Sequence, residues 1–304
     1  MTERLRPFQQ RKRMTQLAET LSRALIRQPK PVLSNYDIFR ELWEIYQSGS
    51  AKYLRGATPS RDVFRRTRSL LRSEGVIRQD NDYGSHWRIV DRSDAPAEDV
   101  ICSVDPFCHI AHLSALQRYG LSNRRPESLF LVEPIPTLRR QLVREQMEGD
   151  YGDSLEDPEA DIEPAKAVTH PETVRGRPVA IDTTKFAGDQ IAIKGSLSRI
   201  ATIGQTFLDT LDSPDRCGGM SHVLDIWTEH SRTYCDEIIE RVERAEKPIW
   251  KVRAGFILEE HIGITDARIS AWARFAQRGS SRVLDPGKPF APQFSEKWML
   301  SLNA

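Results

Sequence analysis

The chain has 304 residues, 39% of them hydrophobic, with 44 Lys and Arg against 43 Asp and Glu, so its overall charge points to no partner class. That length and apolar content suit two domains with buried cores, and no apolar run reaches membrane-span length. The charged N-terminus has no apolar stretch behind it, so neither a signal nor an anchor is read, and a cytoplasmic location with no membrane partner is expected.

In chain order, Arg4, Arg6, Arg11, Lys12 and Arg13 form a short basic segment, readable as an arm for a minor groove or as a solvated tail. Leu17, Leu21, Ala24 and Leu25 then mark an amphipathic helix from Thr15 to Gln28, ended by Pro29 and Pro31. Val32-Leu33 suits a short strand. Ser34 and Asp37 have the spacing of a capping box, and Ile38, Phe39, Leu42, Trp43 and Tyr46 carry a second helix to Gly49. Ser60 to Glu74 sorts into two faces at helical pitch: Val63, Phe64, Thr67, Leu70 and Leu71 on one, Arg61, Arg65, Arg68 and Arg72 about half a turn away. Thr58 is the expected cap, Pro59 the first helical residue and Gly75 the stop. Val76-Ile77-Arg78 and His86-Trp87-Arg88-Ile89-Val90 flank a polar turn and read as a hairpin.

Helix, short strand, helix, basic helix and hairpin together make an N-terminal winged helix-turn-helix over residues 1 to 92. Those residues carry 19 Lys and Arg against 10 Asp and Glu, the electrostatic footprint of a double-stranded DNA binder. The third helix is the candidate major-groove reader, through Ser60, Arg61, Arg65, Arg66, Arg68 and Arg72. Arg78 and Arg88 at the wing base, and Lys12 and Arg13 in the arm, are candidate backbone contacts. The wing tip, with Asp80 and Asp82, is unsuited to phosphate. The bland alternative is that the arginines are only a solvated helix face.

Residues 93 to 99 read as a polar linker, and residues 100 to 304 as a larger mixed α/β domain, so the chain as a whole is α+β. That second domain opens with a helix over Cys108 to Tyr119 and a strand at Leu129 to Val132. Between Glu145 and Glu163 stand nine carboxylates and no Lys or Arg, so 145 to 177 is expected to be an exposed acidic insertion. Strands are expected at Val179 to Ile181 and Gln190 to Lys194. Helices are expected at Ile203 to Leu211, Met220 to Glu229, Cys235 to Ala245, Val252 to His261 and Ala267 to Gln277.

Four pieces of this domain carry a resemblance: Ile110 to Leu121 (IAHLSALQRYGL), Leu208 to Asp225 (LDTLDSPDRCGGMSHVLD), Lys251 to Ile264 (KVRAGFILEEHIGI), and Leu284-Asp285-Pro286 with Trp298 to Asn303 (WMLSLN). In kind and order they resemble the AbiEi antitoxins of type IV toxin-antitoxin systems, with the Cys217-Gly218-Gly219 turn the most specific. The resemblance covers most of Val100 to Asn303. It implies a winged helix that binds inverted repeats in its own promoter and represses the operon. It also implies a C-terminal domain that counteracts a nucleotidyltransferase-like toxin, with direct contact and the toxin-facing residues left unassigned. Arg241, Arg244, Lys251 and Arg253 are an electrostatic guess at that surface.

Catalytic patterns are weak. Asp182 and Lys194 suggest a nuclease core, yet Ala192 stands where the second metal carboxylate belongs. Cys102, Cys108, His109 and His112 lack the spacing of a closed zinc site, and the four scattered cysteines, including Cys217 and Cys235, suit a reducing compartment. No catalytic residue, metal or cofactor is assigned, and no enzymatic activity is expected. The competing reading of function is a stand-alone winged-helix regulator whose C-terminal domain serves dimerisation or ligand sensing.

Overall fold

In the computed structural model, which describes residues 14–186, 188–279 and 282–304, Thr15 caps helix α1 (Gln16–Arg27) by accepting from the Ala18 N–H. Its apolar stripe buries Leu21 and Leu25. Val32-Leu33 does not extend into a strand; only Leu33 bridges, antiparallel, to Trp87. Helix α2 (Asn35–Ser48) opens with the expected capping box, Ser34 and Asp37 satisfying each other's backbone N–H. Helix α3 (Arg61–Ser73) is capped by Ser60 rather than Thr58, because Ser60 is the last extended residue and its hydroxyl accepts from the Val63 N–H. Phe64, Thr67 and Leu71 are buried, and Gly75 at φ +73° turns the chain out of the helix. Strands β1 (Ile77–Gln79) and β2 (Trp87–Ile89) pair antiparallel with Ile77 opposite Ile89.

The expected linker is only partly one. Helix α4 (Ala97–Val104) begins inside it and buries Ala97, Val100 and Ile101. The chain then contributes β3 (His109–Ile110), α5 (His112–Arg118) and β4 (Leu129–Pro134) to a second compact unit before returning with α6 (Pro136–Tyr151) and β5 (Thr173–Val174). The first unit therefore comprises the residues up to Pro106 together with Pro136–Arg175, and the second Phe107–Ile135 with Gly176–Ala304. This corrects the boundary at residue 92.

It also corrects the expectation of an exposed acidic insertion. Tyr151, only 5% exposed, stands edge-on to Tyr36 and Trp43, at 5.8 and 5.2 Å between ring centroids. Ile162 joins the same core as α1, α2 and α3. Asp150 accepts from the Tyr36 hydroxyl at 2.6 Å and pairs with Arg40 at 3.2 Å. Burial, reinforced by Asp150, holds the Tyr36 phenol well above its ordinary range. Two buried apolar side chains anchor a segment whose composition reads as solvated. The charge balance changes with it, since the whole first unit carries 24 Lys and Arg against 24 Asp and Glu.

In the second unit, β6 (Arg177–Thr184), β7 (Gln190–Ala192) and β8 (Arg199–Ala201) complete a mixed sheet in the order β6-β4-β3-β8-β7. β4 runs parallel to β6 and β3 parallel to β8, with Leu129 opposite Val179 and Ile110 opposite Ile200. Helices α7 (Ile203–Asp212), α8 (Met220–His230), α9 (Cys235–Glu243), α10 (Pro248–Gly255) and α11 (Ala267–Ala271) follow. The helix expected from Val252 starts earlier, at Pro248, and widens into a π turn at Phe256–His261. A short pair, β9 (Phe294–Ser295) and β10 (Leu300–Ser301), closes the chain. Phe207, Trp227, Trp272 and Trp298 are fully buried at the centre. The fold is mixed α and β, and among the described residues no helix is long and apolar enough to cross a membrane.

Candidate nucleic-acid interface

Helix α3 presents its arginines in three different states. Arg65 and Arg66 are exposed: Arg65 lies 3.9 Å from Asp62, and Arg66 Nε donates to the Asp62 carbonyl one turn back. Arg72 is exposed, its guanidinium 5.9 Å from the Trp87 ring centroid. Arg68 is half-buried between the Phe64 and Trp87 rings, at 5.1 and 5.3 Å, and Nη1 donates to Asn35 Oδ1 at 2.6 Å. Trp87 Nε1 donates to that same oxygen at 2.8 Å, so Asn35 joins α2, α3 and β2. Burial pulls the Arg68 guanidinium down, against the opposing effect of Glu163. Packing of this kind makes Arg68 a residue that positions the helix as much as a surface cation.

Arg61 is in the third state. Its backbone N–H donates to Asp161 Oδ2 at 2.8 Å, its Nε pairs with Asp161 Oδ1 at 2.9 Å, and its Nη2 donates to the Ile162 carbonyl at 2.8 Å. Ser60 beside it is exposed, its hydroxyl turned to the helix. The N-terminal end of the basic helix is thus held by the acidic segment.

At the hairpin, Arg78 is exposed, whereas Arg88 is 8% exposed and bridged to Asp94 at 3.4 Å. Arg88 is therefore engaged inside the unit, a correction to its place among the surface contacts. Asp80 and Asp82, which made the tip unsuited to phosphate, both hold the guanidinium of Arg175. The cation they face comes from residue 175 of the acidic segment, which no local reading reaches. His170 joins the same face, accepting or donating at 2.8 Å with the Tyr83 hydroxyl and lying 3.2 Å from Asp105. Lys12 and Arg13 lie outside the described residues.

The second unit contains a polar cleft lined by His109, His112, Asp182, Gln205, Asp209, Arg241 and Trp250, among others. His112 opens α5 at φ +50°, a left-handed backbone that costs a non-glycine residue energy, and His112 Nε2 lies 3.3 Å from Asp182 Oδ2 without hydrogen-bond alignment. Arg216 holds the other Asp182 oxygen at 3.0 Å, and these two neighbours keep the Asp182 carboxyl below the usual range. Asp209 Oδ1 accepts from Gln205 at 2.6 Å while Oδ2 is buried without a hydrogen-bond partner. Burial pushes Asp209 up to about 6 and pulls His109 down to about 4. β7, which leads into Lys194, lies at the far edge of this unit's strands from β6, which carries Asp182.

The guessed toxin-facing cations are mostly interior. Arg241 bonds Gln205 at 2.6 Å, Lys251 the Glu243 carbonyl at 2.7 Å, and Arg253 the Val283 and Leu211 carbonyls at 3.0 and 2.7 Å. These three are 8% exposed or less, which withdraws them from a surface role, and Arg244 is exposed but paired to Asp189. Cys102 lies in α4 and Cys108 just before β3; both, with Cys217, are buried thiols.

No family model and no curated protein matches this chain. A crystal structure of the RV2827C protein from Mycobacterium tuberculosis is similar to it over 95% of this chain and 92% of that one, at 12% identity and a TM-score of 0.48.

Proposed function

We propose that the first unit is a winged helix-turn-helix that binds double-stranded DNA at inverted repeats in its own promoter, and that the chain is the autorepressor and antitoxin of a type IV toxin-antitoxin operon. The observation that supports this most is α3 itself: a capped helix in front of a hairpin, packed by Phe64 and Leu71, with Arg65, Arg66 and Arg72 on the open side. Arg78 at the hairpin base adds a backbone contact. The antitoxin half rests on the resemblance of the second unit's segments to the AbiEi antitoxins, and its partner is a nucleotidyltransferase-like toxin in the cytoplasm.

Fluorescence anisotropy with the full chain and a duplex of its own promoter tests the DNA half. Arg65→Ala with Arg66→Ala weakens binding by about 1 to 3 kcal/mol if either reaches a base edge, or lowers the salt slope by about one for each phosphate no longer neutralised. Wild-type affinity in that variant overturns the assignment of α3. Co-expression with the toxin gene beside it tests the antitoxin half, growth rescue being the expected result.

A second reading is favoured by the cleft in the second unit: a winged-helix regulator whose C-terminal part senses a polar ligand, with no toxin involved. The unpaired Asp209 oxygen and the strained His112 are the groups such a ligand would meet. Promoter binding without protection from any neighbouring gene product selects it.

A further inference from the structure

The candidate DNA-reading helix is occupied at its leading end by the chain's own carboxylates. Resting on the DNA-binding reading above, we propose that the acidic segment around Asp161 is an autoinhibitory strap that stands in for phosphate on α3 and must be displaced before a duplex can dock.

Three observations carry it. Asp161 sits where an anion is best held, at the first backbone N–H of a 13-residue helix, and takes the Arg61 side chain as well. In helix-turn-helix docking this is the end that approaches the bases, so a duplex and the strap compete for one position. Glu163, two residues on, adds a second carboxylate whose field reaches the half-buried Arg68. The strap is also held at both ends. Tyr151 and Ile162 are buried in the core that α3 packs on, and Arg175 is tied to Asp80 and Asp82 of the hairpin. Its carboxylates supply part of the balance against the excess of cations over residues 1 to 92: residues 136 to 175 carry ten carboxylates against five Lys and Arg, and residues 93 to 106 add four carboxylates and no cation. The contact at Arg61 is the weak point of this tether, because both side chains of the pair are more than two-fifths exposed. An exposed ion pair of this kind is worth on the order of 1 kcal/mol, and the Arg61 N–H and guanidinium that Asp161 and the Ile162 carbonyl also hold are donors a phosphate can take in their place.

The test compares full-length wild type with Asp161→Asn plus Glu163→Gln, and with Asp157→Asn plus Glu159→Gln. The second pair removes the same charge from the same segment, at residues for which no hydrogen bond or ion pair to α3 is described. Affinity for a labelled promoter duplex and for an unrelated duplex is measured across a salt series, with circular dichroism confirming the fold. The expected result is that the first variant binds both duplexes roughly tenfold more tightly than wild type, with a steeper salt slope, while the second changes affinity by about threefold or less. Equal, measurable binding by wild type and both variants overturns the strap while leaving DNA binding intact. Equal gains in both variants overturn it too, assigning the effect to net charge rather than occupancy. Absence of binding to either duplex by every protein overturns the strap and the DNA-binding reading together.

Discussion

Arg175 holds Asp80 by two parallel hydrogen bonds, Nη2 to Oδ2 at 2.5 Å and Nη1 to Oδ1 at 3.2 Å, although 95 residues separate them. The Asp80 side chain is fully buried. Burial works against its ionisation, yet the hydrogen bonds from Arg175 and from the Tyr83 and Asp82 N–H groups outweigh it and hold its carboxyl below the usual range. Arg175→Ala leaves that carboxylate buried with one guanidinium fewer, and stability at neutral pH is expected to fall by about 3 kcal/mol. Because the folded-state value is depressed, this contribution is complete above the unfolded value near pH 4 and is lost as pH falls through the lower folded value. Urea titrations of both proteins at neutral pH and near pH 3 check it; an equal gap at the two pH values refutes the attribution to Asp80.

Tyr151 gives the most direct check that the acidic segment is part of the first core. An exposed insertion predicts no effect of Tyr151→Ala, whereas a ring packed on Tyr36, Phe39 and Trp43 predicts a loss of about 3 to 5 kcal/mol. Chemical denaturation followed by tryptophan fluorescence reads the difference, Trp43 being one of the reporters.

In the second unit, Gly255 reverses the usual helix rule. It has ordinary helical dihedrals, φ −59° and ψ −48°, where alanine normally stabilises by about 1 kcal/mol. Here an added Cβ would lie 2.1 Å from the Trp298 ring, which is fully buried. Gly255→Ala is therefore expected to destabilise by about 1 to 3 kcal/mol through overpacking. A melting temperature equal to or above wild type would show that the tail carrying Trp298 does not pack on α10.

Asp209 supplies a pH test with the opposite sign to Asp80. Its folded value is raised to about 6 by burial, so the ionised form destabilises the fold and the cost grows as pH rises from about 4 through 6. Asp209→Asn is expected to stabilise by on the order of 1 to 2 kcal/mol at pH 8 and by nothing measurable near pH 4. Thermal melts across that range decide it, and a stabilisation independent of pH would remove the titration argument.

Much of the first unit is readable locally. Ser34 with Asp37, Gly75, and the stripe of Phe64, Thr67 and Leu71 mark helix ends and faces through interactions spanning a few residues, which is why they survive into the structure with shifts of only one or two positions. Most of the second unit's longer strands and helices are legible for the same reason; the exceptions are β3, which lies where the spacing predicts the start of a helix at Cys108, β8, the early start of α10 at Pro248, the short α11 and the closing pair β9 and β10. Of the candidate contacts, Arg65, Arg66, Arg72 and Arg78 stand exposed, while Arg61, Arg68 and Arg88 are engaged by partners 100, 33 and 6 residues away in sequence.

By itself the sequence determined α1, α2, α3 with its row of arginines, the hairpin and most helices of the second unit, but neither α4 nor α6, because caps, turns and amphipathic spacing act within a few residues of themselves. Only the tertiary structure decided where the acid goes. Nothing local says that Tyr151 and Ile162 bury in the first core, and once they do, Asp150, Asp161 and Arg175 are carried onto α2, α3 and the hairpin. Electrostatic energy falls with distance through space and not along the chain, so the nine-charge excess of residues 1 to 92 is a fact of the sequence, and its neutralisation is a fact of the fold.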